Sequence, residues 1–487
     1  SMRQGIPALL DNFQTKGMDL LRITGPSRLV CEVAASGSKN AALPIMAAAL
    51  LTKGRVQVSN VPRLTDVATL ARLMRGLGMA VEQVGNEVSL EEVDRGSVLA
   101  DRRLMSRMRA SFCVLGPLLA RRGRAIVPLP GGCRIGDRPV DLHLNGLSAL
   151  GAQIDIRQGH VVARARRLTG ANVHLTGPRG PTVTGTANVL SAAALARGTT
   201  VITGAACEPE IVDLGRFLEK LGAKIAGLGS ETITVDGVEE LSGGEYTVIP
   251  DRIETATLLL AAAITRGSIR VTATAPQHLA VVLDAISHAG AAVETTADSI
   301  RLVTHGRPRL FGIVARPYPG FPTDLQAQWT TWMCLAAGRS TIRDAVFPKR
   351  FAHLAELRRL GANVVRCGSS VRVTGVAALR GNSLTACDLR ASAALVLAAL
   401  AAEGETMIRG AHHLDRGYER LDEKLASLGA DIARCRVGQA SLRARAHRGR
   451  SGDGEKERQR EGTAEPSFAP SLLPTVSPSC SGGPALA

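Results

Sequence analysis

The chain has 487 residues, of which 45% are hydrophobic and only 3% aromatic. It is too long for a single core, and its cores must be built from Ala, Leu, Val and Ile. The formal net charge is +16. The basic residues are spread out, without the basic stripe and stacking aromatics of a strand-binding groove, so small polyanions are favoured over nucleic acid.

Nine scattered cysteines show no C-x-x-C pair and no zinc spacing, so reduced thiols are expected and no structural metal. No apolar run approaches the ~18 residues of a bilayer span. No signal-like apolar segment opens the sequence, and a cytoplasmic location without membrane insertion is the expectation.

In chain order, residues 1–18 form an N-terminal extension, and two phrases then recur in one phase. The first is a glycine turn after an amphipathic run: GLGMAVE from Gly76, then ALGAQID, KLGAKIA, HAGAAVE, RLGANVV and SLGADIA. Successive copies lie 68 to 73 residues apart. The second is an Ala-rich helical run ending at Gly54, Gly123, Gly198, Gly267, Gly338 and Gly404, each followed by a β-branched stretch. Alanine favours helix, glycine past the last turn supplies a left-handed cap, and Val/Ile/Thr runs fit strands. Six units of helix, strand, amphipathic helix, turn and strand follow. The Ala-rich helices lack a polar face and belong inside, giving an α/β fold of two domains with three repeats each.

Between Pro130 and His143 lies PGGCRIGDRPVDLH, a glycine-rich loop with Cys133 at its tip and Arg134, Arg138 and His143 around it. Nearby cations favour a thiolate, which marks Cys133 as a candidate reactive group. The entrances of the Ala-rich helices collect polar residues: Lys39-Asn40, Arg109, Thr182–Thr186, Asp251-Arg252, Asp324 and Asp388–Arg390. Asp, Ser and Thr there can serve as N-caps. A cation at the positive end of a helix is unfavourable unless an anion is bound beside it. Lys39, Arg109, Arg252 and Arg390 therefore suggest one anion-binding cleft. The stretch after Arg443 carries seven Lys and Arg against five Asp and Glu and ends rich in Ser and Pro. It is expected to be a disordered tail.

Eight motifs then stand in one order: GSKNAALP (37–44), MRAS (108–111), GGCRIGDRPVDLH (131–143), EPEIVD (208–213), PDRIET (250–255), FPTDLQAQ (321–328), DLRASAALVLA (388–398) and LDRGYERLDEKL (414–425). In this the sequence resembles the UDP-N-acetylglucosamine enolpyruvyl transferases (1-carboxyvinyltransferases). The resemblance implies two inside-out α/β barrel domains, 39–246 and 19–38 plus 247–440, with 441–487 as the tail. It implies phosphoenolpyruvate and UDP-N-acetylglucosamine as substrates and no cofactor or metal. Cys133, Asp324, Lys39 and Arg416 would be catalytic, with Cys133 as proton donor and the site of fosfomycin attack. Lys39, Asn40, Arg138, Arg390 and Arg416 would hold phosphoenolpyruvate. Arg109, Arg138, Pro139, Val140, Asp141, Leu142, Thr182, Val183, Asp324 and Val346 would hold the nucleotide sugar.

The chain departs from that family at Pro181–Thr186, P-T-V-T-G-T where P-S-V-G-A-T is usual, and at Pro348-Lys349 before Arg350. An enolpyruvyl transferase with another acceptor such as UMP, and a non-catalytic sensor of UDP-sugars, are the alternatives.

Overall fold

The computed structural model describes residues 19–130 and 139–436. The expected extension 1–18 and tail 441–487 lie outside them. Six segments follow one plan. In the first, helix α1 (Lys39–Ala48) leads through a 3-10 turn to strand Thr52–Ser59, then to helix α2 (Thr65–Gly76) and the hairpin Met79–Val84 and Glu87–Glu92. The strand after the helix pairs antiparallel with the second hairpin strand and parallel with Leu241–Thr247.

Helices α3 (Arg102–Arg107), α4 (Leu115–Arg122) and α5 (Asp141–Ala149) belong to the second segment, α6 (Val183–Ala193) and α7 (Pro209–Lys220) to the third. The fourth holds α8 (Arg252–Ile264) and α9 (Ala280–His288), the fifth α10 (Gln326–Met333) and α11 (His353–Arg359), the sixth α12 (Leu389–Ala401) and α13 (Leu421–Ser427). The parallel partner strands of segments three to six are Asn172–His174, Val30–Ala34, Ile313–Ala315 and Ser383–Thr385. In the sixth sheet the strand Asp19–Gly25 lies between Gly404–Arg409 and Asp431–Arg436, so the start of the described chain completes the last repeat. The second sheet has three strands, with the bridge Leu99–Ile126 at the fourth position. The fold is mixed α/β, and no closed barrel occurs among the described residues.

Composition explains the layering. Every residue of α8 is buried, as is α12 from Arg390 to Leu400, because these helices have no polar stripe to leave in water. Helices α2 and α7 instead bury one face. The apolar side chains form two cores, one from residues 41–248 and one from 21–33 with 253–428.

The chain crosses between the cores twice, and the crossings pair side by side. Gly37 and Pro250 form an antiparallel bridge, Ser38 N donates to the Ile249 carbonyl at 2.7 Å, and Asp251 N donates to that of Ser36 at 2.8 Å. A Cβ on Gly37 would sit 1.6 Å from the Asn60 carbonyl oxygen, so no larger residue fits this approach. Each crossing runs straight into a helix entrance, α1 with Lys39 and α8 with Arg252.

The expected glycine caps hold only in part. Gly123 (φ 67°) directly terminates α4. After α8 the left-handed residue is Arg266 (φ 51°), while Gly267 is needed because a Cβ there would meet the Leu29 carbonyl at 2.1 Å. The glycine phrase marks the helix-to-strand passage, and its reason differs from copy to copy.

Candidate active site

Lys39 opens α1 behind Ser38, whose Oγ accepts from Ala41 N at 3.3 Å. Its Nζ lies 2.6 Å from Asp66 Oδ2. Asp66 sits in the first turn of α2 and is 2% exposed. Arg416 Nε donates to Asp66 Oδ1 at 3.0 Å, and its Nη2 reaches Oδ2 at 3.4 Å. One carboxylate thus bridges two cations, and Arg416 comes from 350 residues away, on the other core. Burial lowers the pKa of Lys39, against the pull of Asp66.

A second bridge is built the same way. Asp324 lies in the 3-10 turn Thr323–Leu325 before α10. Its Oδ1 accepts from Arg350 Nη1 at 2.7 Å and its Oδ2 from Arg390 Nη2 at 3.0 Å. Burial alone would raise the pKa of Asp324, but Arg390 and then Arg350 override it and hold the carboxyl well below the usual range. Asp324 is not a helix cap, since both its oxygens serve arginines. Arg390, 3% exposed, is the second residue of α12 behind Asp388, whose Oδ1 accepts from Arg390 N and Ala391 N at 3.0 Å each. Its guanidinium lies 5.2 Å from the centre of the Tyr418 ring. Gln328 Nε2 donates to the Tyr418 hydroxyl at 3.1 Å and so supports the ring.

Arg390 Nη1 is buried with no acceptor among the described residues. An unmet donor of this kind is costly, and a ligand oxygen is the natural partner. The two bridges are neighbours, because Arg390 and Arg416 both depress proton binding at Lys39. Asp251 joins them: it caps α8, its Oδ2 accepts from Lys39 N at 3.2 Å, and Arg390 opposes the rise that burial imposes on its pKa. Each bridge sets two cations against one carboxylate, leaving a surplus of positive charge for an anion.

The remaining predicted residues sit as follows. Asn40 is exposed in the first turn of α1. Arg109 begins the 3-10 turn Arg109–Val114, and its Nη2 donates to the Pro139 carbonyl at 3.2 Å. Pro139 and Val140 lead into α5, with Asp141 exposed and Leu142 half-buried. Thr182 caps α6, its Oγ1 accepting from Gly185 N at 3.2 Å, and Val183 is exposed beside it. Val346 N donates to Asp344 Oδ1 at 3.0 Å. Cys133 and Arg138 lie outside the described residues.

Arg252 corrects an expectation. Its Nε and Nη2 donate to Glu210 Oε1 and Oε2 at 2.9 and 3.1 Å, so its charge at the helix entrance is answered by a carboxylate of the chain. Asp66 and Glu210 were not anticipated. In the sequence each looks like an ordinary acid in the first turn of an amphipathic helix, and only the meeting of distant segments gives it a cation.

The fold and the charged site can be set beside known proteins. Residues 23–425 match the family model described as EPSP synthase (3-phosphoshikimate 1-carboxyvinyltransferase). Among solved structures, the enolpyruvyl transferase NikO from Streptomyces tendae superposes with a TM-score of 0.78 at 28% identity, covering 86% of this chain and 99% of that one. EPSP synthase from Acinetobacter baumannii, at 18% identity and a TM-score of 0.65 over 86% and 100% of the two chains, shows the same fold. The chain belongs to the enolpyruvyl transferase (1-carboxyvinyltransferase) family.

Within that family its similarity is narrower. It is 46% identical over 417 residues to a protein of Methylacidiphilum infernorum named UDP-N-acetylglucosamine 1-carboxyvinyltransferase, covering 86% of this chain and 99% of the relative. A protein of the same name from Halorhodospira halophila is 47% identical over 418 residues, with the same coverage. No helix among the described residues is long and apolar enough to cross a membrane.

Proposed function

We propose that this chain transfers the enolpyruvyl group of phosphoenolpyruvate to the 3′-hydroxyl of UDP-N-acetylglucosamine and releases phosphate. The product would feed peptidoglycan synthesis, with the enzyme working in the cytoplasm. The observation that carries the reading is the pair of carboxylate-bridged cation sites, with the buried Nη1 of Arg390 lacking an acceptor among the described residues. The names of the close relatives point the same way.

In this reading Lys39, Arg390 and Arg416, with Asn40 and Arg138, hold the phosphate and carboxylate of phosphoenolpyruvate. Guanidinium forks suit such oxyanions. The residues at the entrances of α5 and α6 (Pro139 to Leu142, Thr182 and Val183), with Arg109, Arg138 and Val346, hold the nucleotide sugar. The sugar oxygen adds to C2 while a proton, given by Cys133, adds to C3. Loss of a C3 proton then expels phosphate from the tetrahedral ketal.

Asp324 accepts the hydroxyl proton. Arg390 and Arg350 make it a weak base before substrate binds. An anion that engages Arg390 offsets that positive charge and raises the basicity of the carboxylate as the reaction begins. The chemistry as proposed calls for no metal or cofactor. The two cores are read as two inside-out α/β barrel domains, 39–246 and 19–38 plus 247–440, closing on the substrates.

The test is phosphate release from phosphoenolpyruvate with and without UDP-N-acetylglucosamine at matched enzyme. Release that requires the sugar nucleotide supports the reading. Binding of the sugar nucleotide without release points to a sensor, and neither event points to another acceptor such as UMP. Fosfomycin inactivation that survives Cys133→Asp would remove Cys133 as its target.

A further inference from the structure

We propose that Tyr418 is a positioning residue that sets Arg390 and Arg416 as a pair for phosphoenolpyruvate, with its hydroxyl held by Thr257 and Gln328. This rests on the function proposed above and deepens it at the cation sites.

Thr257 is a fully buried residue of α8. Its Oγ1 donates to the Ile253 carbonyl, one turn back, at 2.7 Å. A carbonyl only accepts, so that hydrogen is committed and Oγ1 can only accept from its other neighbours. Those are the Tyr418 hydroxyl and Gln328 Nε2, each at 3.2 Å. The Tyr418 hydrogen therefore points to Thr257, and the Tyr418 oxygen accepts from Gln328 Nε2 at 3.1 Å. Gln328, fully buried on α10, thus spans both oxygens with the two hydrogens of one amide nitrogen. Its Oε1 has no partner among the described residues. Turning the amide over would set an oxygen against Thr257 Oγ1, which has no hydrogen left to give, and would orphan two N–H groups instead.

The Tyr418 ring, 1% exposed, is therefore pinned at its polar tip to α8 and α10. Its face holds the Arg390 guanidinium of α12, 5.2 Å from the ring centre. Burial works against the charge of Arg390, and Asp324 followed by Tyr418 more than offsets it. Arg416 stands two residues before Tyr418, with Gly417 between them. Gly417 packs on Leu389, the neighbour of Arg390, so closely that a Cβ would lie 2.5 Å from Leu389 Cδ2. One phenol thus fixes Arg390 through its ring and Arg416 through the chain. Gln328 and Tyr418 belong to FPTDLQAQ and LDRGYERLDEKL, where only Asp324 and Arg416 had a task.

The experiment compares Tyr418→Phe, Thr257→Val, the double variant and Thr257→Ser by steady-state kinetics. In Tyr418→Phe, KM for phosphoenolpyruvate should rise about three- to tenfold, the reach of one lost hydrogen bond, while KM for UDP-N-acetylglucosamine stays within about twofold. Thr257→Val should show the same split, and Thr257→Ser, which keeps the hydroxyl, should stay within about twofold of wild type. The double variant should exceed Tyr418→Phe alone by less than about twofold, because without the phenol oxygen Thr257 has no ring to hold. The rise in Tm that phosphoenolpyruvate gives should shrink in both single variants.

An unchanged KM for phosphoenolpyruvate in a folded, active Tyr418→Phe protein would overturn this proposal alone, as would fold-changes that multiply in the double variant. Should Tyr418→Phe fail to fold, Thr257→Val against Thr257→Ser decides, and equal KM values in the two would overturn it. A wild-type protein that releases no phosphate from phosphoenolpyruvate would overturn the parent reading, and this one with it.

Discussion

Asp324 shows what a single side chain can be made to do by its neighbours. Burial would raise its pKa, but Arg390 and then Arg350 hold the carboxyl well below the usual carboxylate range. Asp324→Asn should lower kcat by roughly 10²–10⁴, the usual weight of a general base. KM for phosphoenolpyruvate should not rise, because the change frees Arg390 and Arg350 for the substrate anion. Steady-state kinetics with both substrates decide it, and a retained kcat would remove Asp324 from the chemistry.

Asp213 of α7 is the opposite case. It accepts from the Tyr246 hydroxyl at 2.6 Å and from Ile249 N at 3.2 Å, yet burial outweighs these bonds and pushes its pKa up to about 6. With the folded value above the ordinary 3.8, the folded state binds the extra proton between about 4 and 6. The contribution of this group is therefore most favourable below that window and is lost as pH rises through about 6. The stability of Asp213→Asn relative to wild type should climb across the window, by at most roughly 1.4 kcal/mol for each pH unit, and then level off. Urea unfolding at pH 4.5 and 7.5 measures it, and an unchanging difference would refute the assignment.

At the scale of elements, the site depends on how central helices begin. Asp388 caps α12 and sets the direction of its first turn, which carries Arg390. Asp388→Ala should cost about 1–2 kcal/mol of stability, the normal worth of such a cap. It should also raise KM for phosphoenolpyruvate, since the turn holding Arg390 loosens. Loss of stability with KM unchanged would mean that Tyr418 and Asp324 alone orient the guanidinium. Helix and strand positions were legible in the sequence because Ala-rich and β-branched runs alternate in one phase six times. The helix ends were less so. A glycine near a helix end serves one copy as a left-handed cap and another as room for a carbonyl, as at Gly123 and Gly267, and composition does not distinguish these uses.

Across the whole molecule, charge joins the two cores. Asp66 meets Lys39 and Arg416, Glu210 meets Arg252, and Arg63 Nε meets Glu419 Oε1 at 3.0 Å. Asp66→Asn would leave two cations facing each other across the cores. The ligand-free protein should lose about 1–3 kcal/mol, less than a fully buried pair would cost because the Arg416 side chain is 33% exposed. Phosphoenolpyruvate would then replace the missing negative charge, so its upward shift of Tm should be larger in the variant than in wild type. Equal shifts in thermal unfolding would show that Asp66 does not compete with the ligand for these cations.

The sequence by itself determined the six-fold repeat, the alternation of buried helices and small sheets, the family and the candidate residues at helix entrances. Those depend on local propensity, on apolar spacing and on short motifs, all of which are contiguous in the chain. Only the tertiary structure decided what each charge faces. Arg252 proved to be neutralised by Glu210, Asp324 proved to be shared by two arginines, and Asp66 proved to join Lys39 to Arg416. A salt bridge needs two charges within a few ångströms, and when its partners stand 350 residues apart nothing in the order of the residues records that they meet.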